Sequence, residues 1–558
     1  MTLRVFSGKA MPRDKLSELG HYMNEYKENK VEVARRQIFG FAPLMDALPL
    51  RSAAARRAIW TLPWYGPADA GALQAELARQ RACGALAQRA DARALAHFKR
   101  HLEQTPDLRP TFRQLREERG ALDDIQLFEL KNWLLPMGES ARFARSSGID
   151  LPPIPDLEEA LNLLDPLKER LPSFYIYDCY DERLPQLRRA LKTAAEAEAN
   201  AGTALDARRT DVAGGPDAGR ENGADTRGDG SSIHIETQLS EVEQAVRETL
   251  SRQLRGFAED LEAALDGLVA WDFLIAKTEW AQAQHCHCPE ILTGADTDAA
   301  EDTPALAYTG LFYPPLFQQC QAQGRPYQAV DISLDRDACL LTGANMSGKT
   351  ILIKALALAQ TLAQFGFFVP AAAARLTLFD EVCRIVGDEQ NESRGLSSFG
   401  AEILSLHGTL QKLRQGRRIL FLADELARTT NPTEGSAIVC AFFDLWRQLR
   451  SAALTAAGFG SAALISTHYE HVDNAPRRLR VKGLDTARWA AACRDRAAIR
   501  AGETDGQTAD FLAQLQNFMD YGVEEVRADS PAEMQALDVA ACLGVDADLI
   551  AAAKRYGH

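Results

Sequence analysis

The stretch Leu340–Lys354, LLTGANMSGKTILIK, narrows the folds open to this chain more than any other. Inside it, Gly343–Thr350 reads GANMSGKT and fits G-x-x-x-x-G-K-[ST], a loop that turns its backbone N–H groups toward phosphate oxygens. Both flanks agree with that reading. Ala338–Leu341 is an apolar run that predicts a buried strand entering the loop. Ile351–Gln364 places apolar residues at helical spacing and contains neither Gly nor Pro. Glycine lets the backbone approach an anion closely, and a helix N-terminus favours negative charge. On this reading Gly343, Ala344, Asn345, Met346, Ser347 and Gly348 form the cradle, Lys349 reaches the β- and γ-phosphates, and Thr350 offers its hydroxyl to Mg²⁺. The plain alternative is a strand–helix turn without a ligand. Lys-Thr at the required positions favours the phosphate loop, so the chain is expected to bind a nucleoside triphosphate.

Two later strands extend the constellation. Arg418–Glu425 is an apolar run that ends in Asp424 and Glu425. Burying a strand that ends in two acids is costly unless a cation or hydrogen bonds compensate. At such a strand end the first carboxylate serves a magnesium ion, and the second can orient or deprotonate the attacking water. A third apolar run, Ser461–Ser466, is followed by Thr467 and His468. A histidine there can hydrogen-bond a γ-phosphate and register its loss; a partly exposed histidine with no ligand is the plainer alternative.

At 558 residues the chain is expected to hold two to four domains. An apolar content of 46% and a charged content of 25% are ordinary for a soluble globular protein. The net charge of −14 argues against a broad, sequence-independent grip on nucleic acid, which leaves local clusters such as Arg477–Lys482 and Arg51–Arg57. A solvated helix or loop face is the favoured reading of both. Ten cysteines are scattered, several within apolar segments (Cys339, Cys440, Cys542), as in reduced cores. The N-terminal sequence lacks the apolar core of a signal peptide, and no apolar run is long enough for a membrane span. A cytoplasmic protein without membrane contact is expected.

Residues 1–199 read as a helical core domain, with helices over Ser52–Trp60, Ala72–Lys99, Asp123–Leu135 and Leu157–Leu164 between Pro-containing turns. Residues 200–232 are Gly-, Asp- and Ala-rich and predict a disordered linker or insertion. Residues 233–292 predict long lever-type helices, with Leu250, Leu254, Phe257, Leu261, Leu265 and Leu268 on one face. His285–Cys288 is a metal-like cluster, but a tetrahedral zinc site would need a second pair of ligands that the sequence does not show. Residues 293–305 are an acidic linker, and 306–558 form the nucleotide-binding domain with C-terminal helices.

GANMSGKT, SSFGAEI (Ser397–Ile403), FLADELARTTNPTEG (Phe421–Gly435) and STHYE (Ser466–Glu470) together resemble the ATPase domain of the MutS mismatch-repair family, in order and approximate spacing. The resemblance is strong over Leu306–His471 and continues through Ala536–Gly544, similar to the family's C-terminal helices. RRQIFGF (Arg35–Phe41) and the helices before Cys286 resemble its helical core and lever. What this implies is an α/β ABC-type P-loop NTPase domain preceded by an all-α core/lever domain, with ATP and Mg²⁺ as cofactors. By resemblance Lys349, Glu425 and His468 are catalytic, Thr350 and Asp424 hold the metal, and Asn345 is the loop asparagine. Ser397 and Ser398 match a dipeptide that meets the neighbouring subunit's nucleotide, and Tyr327 falls where the family places an aromatic under adenine. The family works as dimers, so a homodimer or a heterodimer with a related MutS-like subunit is implied, and DNA is the implied target. Two departures bear on that target. The Phe-x-Glu matches, Phe257–Glu259 and Phe379–Glu381, fall in the long helix and inside the ATPase domain, and no clamp is recognisable between the lever helices. Asn431–Glu434 also differs from the family's loop. The outputs weighed are therefore DNA repair, ATP-driven remodelling of a protein client (some shortened MutS-like proteins resemble reactivating partners of cobalamin-dependent aminomutases), and a weak structural partner, against which the intact site argues.

Overall fold

The computed structural model describes residues 29–89, 92–210, 229–293, 304–344, 347–386, 398–428, 430–453, 460–469, 472, 474–485, 488, 518–527, 537, 540 and 545–556. The chain divides into two compact units. The first comprises Met1–Pro49, Trp60–Arg81 and Lys277–His558, and the second Leu50–Ile59 and Ala82–Ala276.

The first unit is built on a six-stranded sheet. In chain order its strands are β4 (Ala338–Thr342), β6 (Glu381–Val386), β7 (Ile419–Asp424), β8 (Ala462–Ser466), β9 (Arg477–Leu484) and β10 (Met519–Glu525). Their spatial order is β10-β9-β4-β8-β7-β6. All pairings are parallel except the edge pair β9–β10. β7 and β8 are buried at every residue, which is why they read as unbroken apolar runs rather than as alternating patterns. Leu340 pairs with Ile465 and Leu422 with Leu464, so β8 separates β4 from β7. Helices α1 (Lys349–Gln364), α2 (Ser398–Arg414) and α3 (Pro432–Ala453) follow β4, β6 and β7 in turn. Phe421, Ile465, Leu406, Val439, Phe442 and Trp446 share the core between the sheet and these helices.

A second sheet combines β1 (Glu290–Ile291), β2 (Leu306–Leu311), β3 (Val330–Leu334) and β5 (Ala373–Leu376) in the order β1-β5-β2-β3. It draws on residues before the start expected near Leu306, because β1 pairs with β5. Helix α1 is buried nearly all round, and its two glutamines are satisfied internally. Gln360 bonds Tyr308 Oη and Thr377 O, and Gln364 bonds the carbonyls of Phe379 and Tyr65. RRQIFGF, matched by resemblance to a helical core, belongs instead to this unit. Phe41 stacks on Phe365 at 5.3 Å, and exposed Phe39 lies between the Lys354 ammonium and the Arg384 guanidinium. Apolar burial and cation–π attraction explain the placement. The helical block expected over 1–199 is thus divided between the two units.

The second unit is helical. Asp124–Leu134 begins with a capping box in which Asp123 and Gln126 satisfy each other's backbone N–H groups. The helix expected over Ala72–Lys99 is two, Ala70–Arg89, which begins in residues of the first unit, and Ala92–Gln104. The lever region is likewise two helices, Asp229–Arg255 and Ala258–Ala283, the second running on into residues of the first unit. They join at Gly256–Phe257, so Phe257 caps a helix joint rather than sitting mid-helix. Helices Leu184–Thr210 and Asp229–Arg255 enter the expected linker 200–232 from both sides, which corrects its boundaries, while 211–228 lie outside the described residues. The first of these helices reaches residue 210 on Ala-, Glu- and Leu-containing sequence of good helix propensity. Most of 293–305 and of 536–544 is also outside the described residues.

Candidate functional site

Because β4, β7 and β8 are parallel, the loops that follow them emerge at one end of the sheet. Ligands of open α/β sheets bind at the carboxyl ends of the strands. Here that end carries Gly343–Thr350, Asp424-Glu425 and Thr467-His468.

The loop after β4 requires its glycines. Gly343 has φ 138° and Gly348 φ 97°, conformations that side chains disfavour. A β-carbon on Gly343 would stand 2.8 Å from the Val481 carbonyl oxygen, and one on Gly348 3.0 Å from the Tyr521 ring. Lys349 opens α1, and its ammonium donates to the carbonyls of Gly343 (2.6 Å) and Ala344 (2.9 Å). Burial pushes the Lys349 ammonium below its ordinary value, while Glu425 and then Asp424 push back. Ser347 is fully buried, and its hydroxyl has no partner among the described residues. Asn345 and Met346 lie outside the described residues.

Asp424 is 6% exposed at the end of β7, and its carboxylate accepts the Ser466 hydroxyl at 2.8 Å. The same hydroxyl accepts the N–H of Glu425 at 2.9 Å, so one serine at the end of β8 fixes both acids. Glu425 has φ 52°, and its carboxylate takes the Arg428 guanidinium at 2.5 Å. His468 is exposed just beyond β8 and its ring lies tilted at 44° to that of Tyr469, with centroids 4.2 Å apart. Ser398 is the first residue of α2, and Ser397 lies outside the described residues. The Tyr327 hydroxyl accepts the N–H of Tyr313 at 2.9 Å, and its ring meets Phe317 edge-on, so packing accounts for its position.

Sequence reasoning did not assign Tyr521, whose ring covers Gly348 and whose N–H is held at 3.0 Å by Gln328. Its strand begins after a long stretch with no motif, and the sequence carries no signal for it. Ser466 was visible as the last residue of an apolar strand ending in Thr-His, but its bond to Asp424 depends on the neighbouring strand. Phe379 is buried in the core, and Glu381 on β6 pairs with Lys412, which accounts for the second Phe-x-Glu match. In the His285–Cys288 cluster, His287 Nδ1 bonds the Ala371 carbonyl at 2.9 Å and burial pushes the Cys286 thiol up. Among the described residues no group of three or more His, Cys, Asp or Glu side chains could hold a metal ion.

The two basic clusters are already paired. Arg477 meets Asp335 (3.1 Å) and Glu525 (2.9 Å), Arg480 meets Glu524 (2.6 Å), and Lys482 meets Asp520 (3.2 Å). Arg51 faces Glu103 (3.9 Å), and Arg57 faces Asp107 (2.9 Å). No helix among the described residues is long and apolar enough to cross a membrane.

A family model described as MutS domain V matches residues 339–496, which include the loop after β4, both acids and His468. Endonuclease MutS2 of Lacticaseibacillus casei (strain BL23) is 31% identical over 256 residues, covering 45% of this chain and 28% of that protein. DNA mismatch repair protein MutS of Flavobacterium johnsoniae is 29% identical over 244 residues, covering 43% and 26%. Putative endonuclease MutS2 of Bacillus subtilis (strain 168) is 29% identical over 241 residues, covering 39% and 28%. The matched part of this chain thus spans between a quarter and a third of these relatives' length. The strand ends described above thus lie in a segment that matches MutS domain V, and over that segment the chain is similar to MutS-family proteins.

Proposed function

We propose that the chain is a Mg²⁺-dependent ATPase of the ABC-type P-loop class whose nucleotide cycle opens and closes a pair of subunits. The observation that carries this reading is the convergence of a glycine-walled loop, a buried lysine and two acids at one end of a parallel sheet. The Ser347 hydroxyl, without a partner among the described residues, and the lack of room for β-carbons at Gly343 and Gly348 suit a loop that closes around phosphates. Lys349 would leave its two carbonyls for the β- and γ-phosphates. The Thr350 hydroxyl and the Asp424 carboxylate are hard oxygen donors of the kind magnesium takes, alongside substrate phosphate. When bound, the ion neutralises charge on the phosphates. Glu425 accepts the proton of the attacking water once its carboxylate turns from Arg428, and His468 senses the γ-phosphate. Tyr521 beside Gly348 would flank the nucleotide, and Ser398, with Ser397 before it in sequence, would meet the partner subunit's nucleotide.

Glu425→Gln should leave ATP binding nearly intact and slow hydrolysis by about 100-fold or more. Lys349→Ala should abolish tight nucleotide binding. Steady-state ATPase rates and equilibrium binding decide both, and wild-type hydrolysis by Glu425→Gln would overturn the assignment. In saturating ATP the Glu425→Gln protein should be paired, by light scattering.

The relatives' names point to DNA as the target of the cycle, and lend no support to a remodeller of cobalamin enzymes. With the basic clusters neutralised by neighbouring carboxylates, duplex contact should be weak, at or beyond micromolar affinity at physiological salt, and should collapse as salt rises. Fluorescence anisotropy with matched and mismatched duplexes tests this. A mismatch preference of about tenfold, roughly 1.4 kcal/mol, would instead establish direct mismatch reading.

A further inference from the structure

The turn that carries Glu425 contains a second residue in the left-handed region, Ala427, at φ 63°. An alanine there is sterically disfavoured, and such a conformation persists only where its surroundings hold it. Three elements do so. Ala427 N–H donates to the Glu402 carboxylate in the first turns of α2 at 2.6 Å. The Ala427 carbonyl accepts the Tyr469 hydroxyl, beside His468, at 2.7 Å. Gly435 in α3 lies directly under that hydroxyl, where a β-carbon would collide with it. One residue's backbone is therefore gripped at both its N–H and its C=O, two residues after Glu425.

Glu402 is a costly choice for a purely architectural bond. It is half-buried, and among the described residues its carboxylate has the one partner, Ala427 N–H. Burial pushes this carboxyl up from its ordinary value, and the Ala427 N–H pulls it back only in part. A glutamine could accept from the same N–H without a charge to desolvate, but only in a longer and weaker bond. What the charge adds is a shorter and stronger bond, of the kind that fixes geometry.

We propose that Glu402 and Tyr469 are positioning residues that clamp the Ala427 backbone from both sides and thereby aim the Glu425 carboxylate. The clamp links that aim to two places a bound nucleotide would reach. Glu402 sits four residues after Ser398 on α2, and Tyr469 is the residue after His468. A shift of either element is transmitted to the turn through the backbone of a single residue. The inference rests on the proposed reading of Glu425 as the residue that activates water.

The test uses the full chain with Glu402→Gln and Tyr469→Phe, each alone and each combined with Ala427→Gly. Displacing a reacting group by about 1 Å can cost on the order of 100-fold, so each single variant should lose about ten- to a hundredfold in kcat. Nucleotide affinity, measured by equilibrium binding, should stay within about twofold, because the loop after β4 is untouched. Ala427→Gly should restore a large part of the lost rate, since glycine takes the left-handed turn without being held there. Tyr469→Phe removes one hydroxyl and keeps the ring, so it reports on the clamp even if Glu402→Gln folds poorly. Unchanged kcat in Tyr469→Phe, a parallel loss of kcat and affinity, or failure of Ala427→Gly to rescue either variant would overturn the inference. Glu425→Gln, run alongside, separates the two readings. If it retains wild-type hydrolysis, the role of Glu425 falls and the clamp's purpose with it. If it is inactive while the clamp variants are normal, only the clamp falls.

Discussion

Lys131 in the helical unit and Lys349 in the sheet unit are both buried, and they are held in opposite ways. Lys131 is 0% exposed, 3.2 Å from the Asp165 carboxylate and 2.9 Å from the Tyr177 hydroxyl, with its ammonium 5.3 Å from that ring. The other Asp165 oxygen takes the N–H of Arg170 at 2.9 Å. Burial pushes the Asp165 carboxyl up, but Arg170 N–H and Lys131 outweigh it and hold the group below its usual range. That charge is balanced and its hydrogen bonds are made. Lys349 is 9% exposed, and its only acceptors among the described residues are two carbonyls of its own loop. Asp424 and Glu425 act on it from a distance and do not close an ion pair. A balanced buried charge stabilises one arrangement of helices, whereas an unbalanced one keeps its charge available to an incoming anion. The difference separates structure from function more sharply than burial itself does.

The largest effect that could break this comparison lies in the helical unit. Lys131→Met should strand Asp165 and Tyr177 without their cation and cost about 3–5 kcal/mol, as breaking a buried pair from one side does. Urea unfolding monitored by tryptophan fluorescence measures it, with Trp133 next to the site as a probe. A loss below about 1 kcal/mol would mean that the pair is not the balanced device described. Replacing Lys131 and Asp165 together by leucines should recover most of the loss, since apolar residues of similar volume often substitute for a buried pair at little cost.

The two lysines also show what the sequence could disclose. Lys349 was legible because phosphate chemistry fixes the spacing of Gly343, Gly348 and Thr350 around it, and the strand and helix on either side carry plain apolar patterns. Asp424 and Glu425 were legible for the same reason, at the end of a strand buried at every residue. Lys131 gave no sign, because its partners lie 34 and 46 residues away and are set by helix packing. The same limit hid Ser466, Glu402 and Tyr521, which act through backbone groups or across neighbouring strands. It also hid the placement of Phe41 and Tyr65 with α1, where Phe41 stacks on Phe365 and Tyr65 N–H meets the Gln364 carbonyl at 2.8 Å. Periodicity shows which face of an element is buried and is silent on what buries it. Helix Leu184–Thr210 ran past its expected end for a related reason, since a composition read as linker also has few residues that break a helix.

The smallest effect is the most telling, because its sign is opposite. Lys349→Met should stabilise the nucleotide-free protein, by about 1 kcal/mol, the scale typical when a strained functional group is removed. The lysine's folded value lies below its ordinary one, so folding disfavours its charged form. The penalty is therefore fully present below the folded value and shrinks as pH rises through it toward the unfolded value. The gain in unfolding free energy from Lys349→Met should accordingly be largest on the acid side of that window and fade as pH rises toward the lysine's ordinary value. Nucleotide supplies the second half of the test. Mg²⁺-ATP should raise the wild-type melting temperature by binding only the native state, and should leave Lys349→Met unmoved. A destabilised Lys349→Met protein would show that the loop carbonyls balance this ammonium as fully as Asp165 balances Lys131. The buried lysine at the strand ends would then be architecture, and the phosphate-binding role would have to rest on the loop backbone alone.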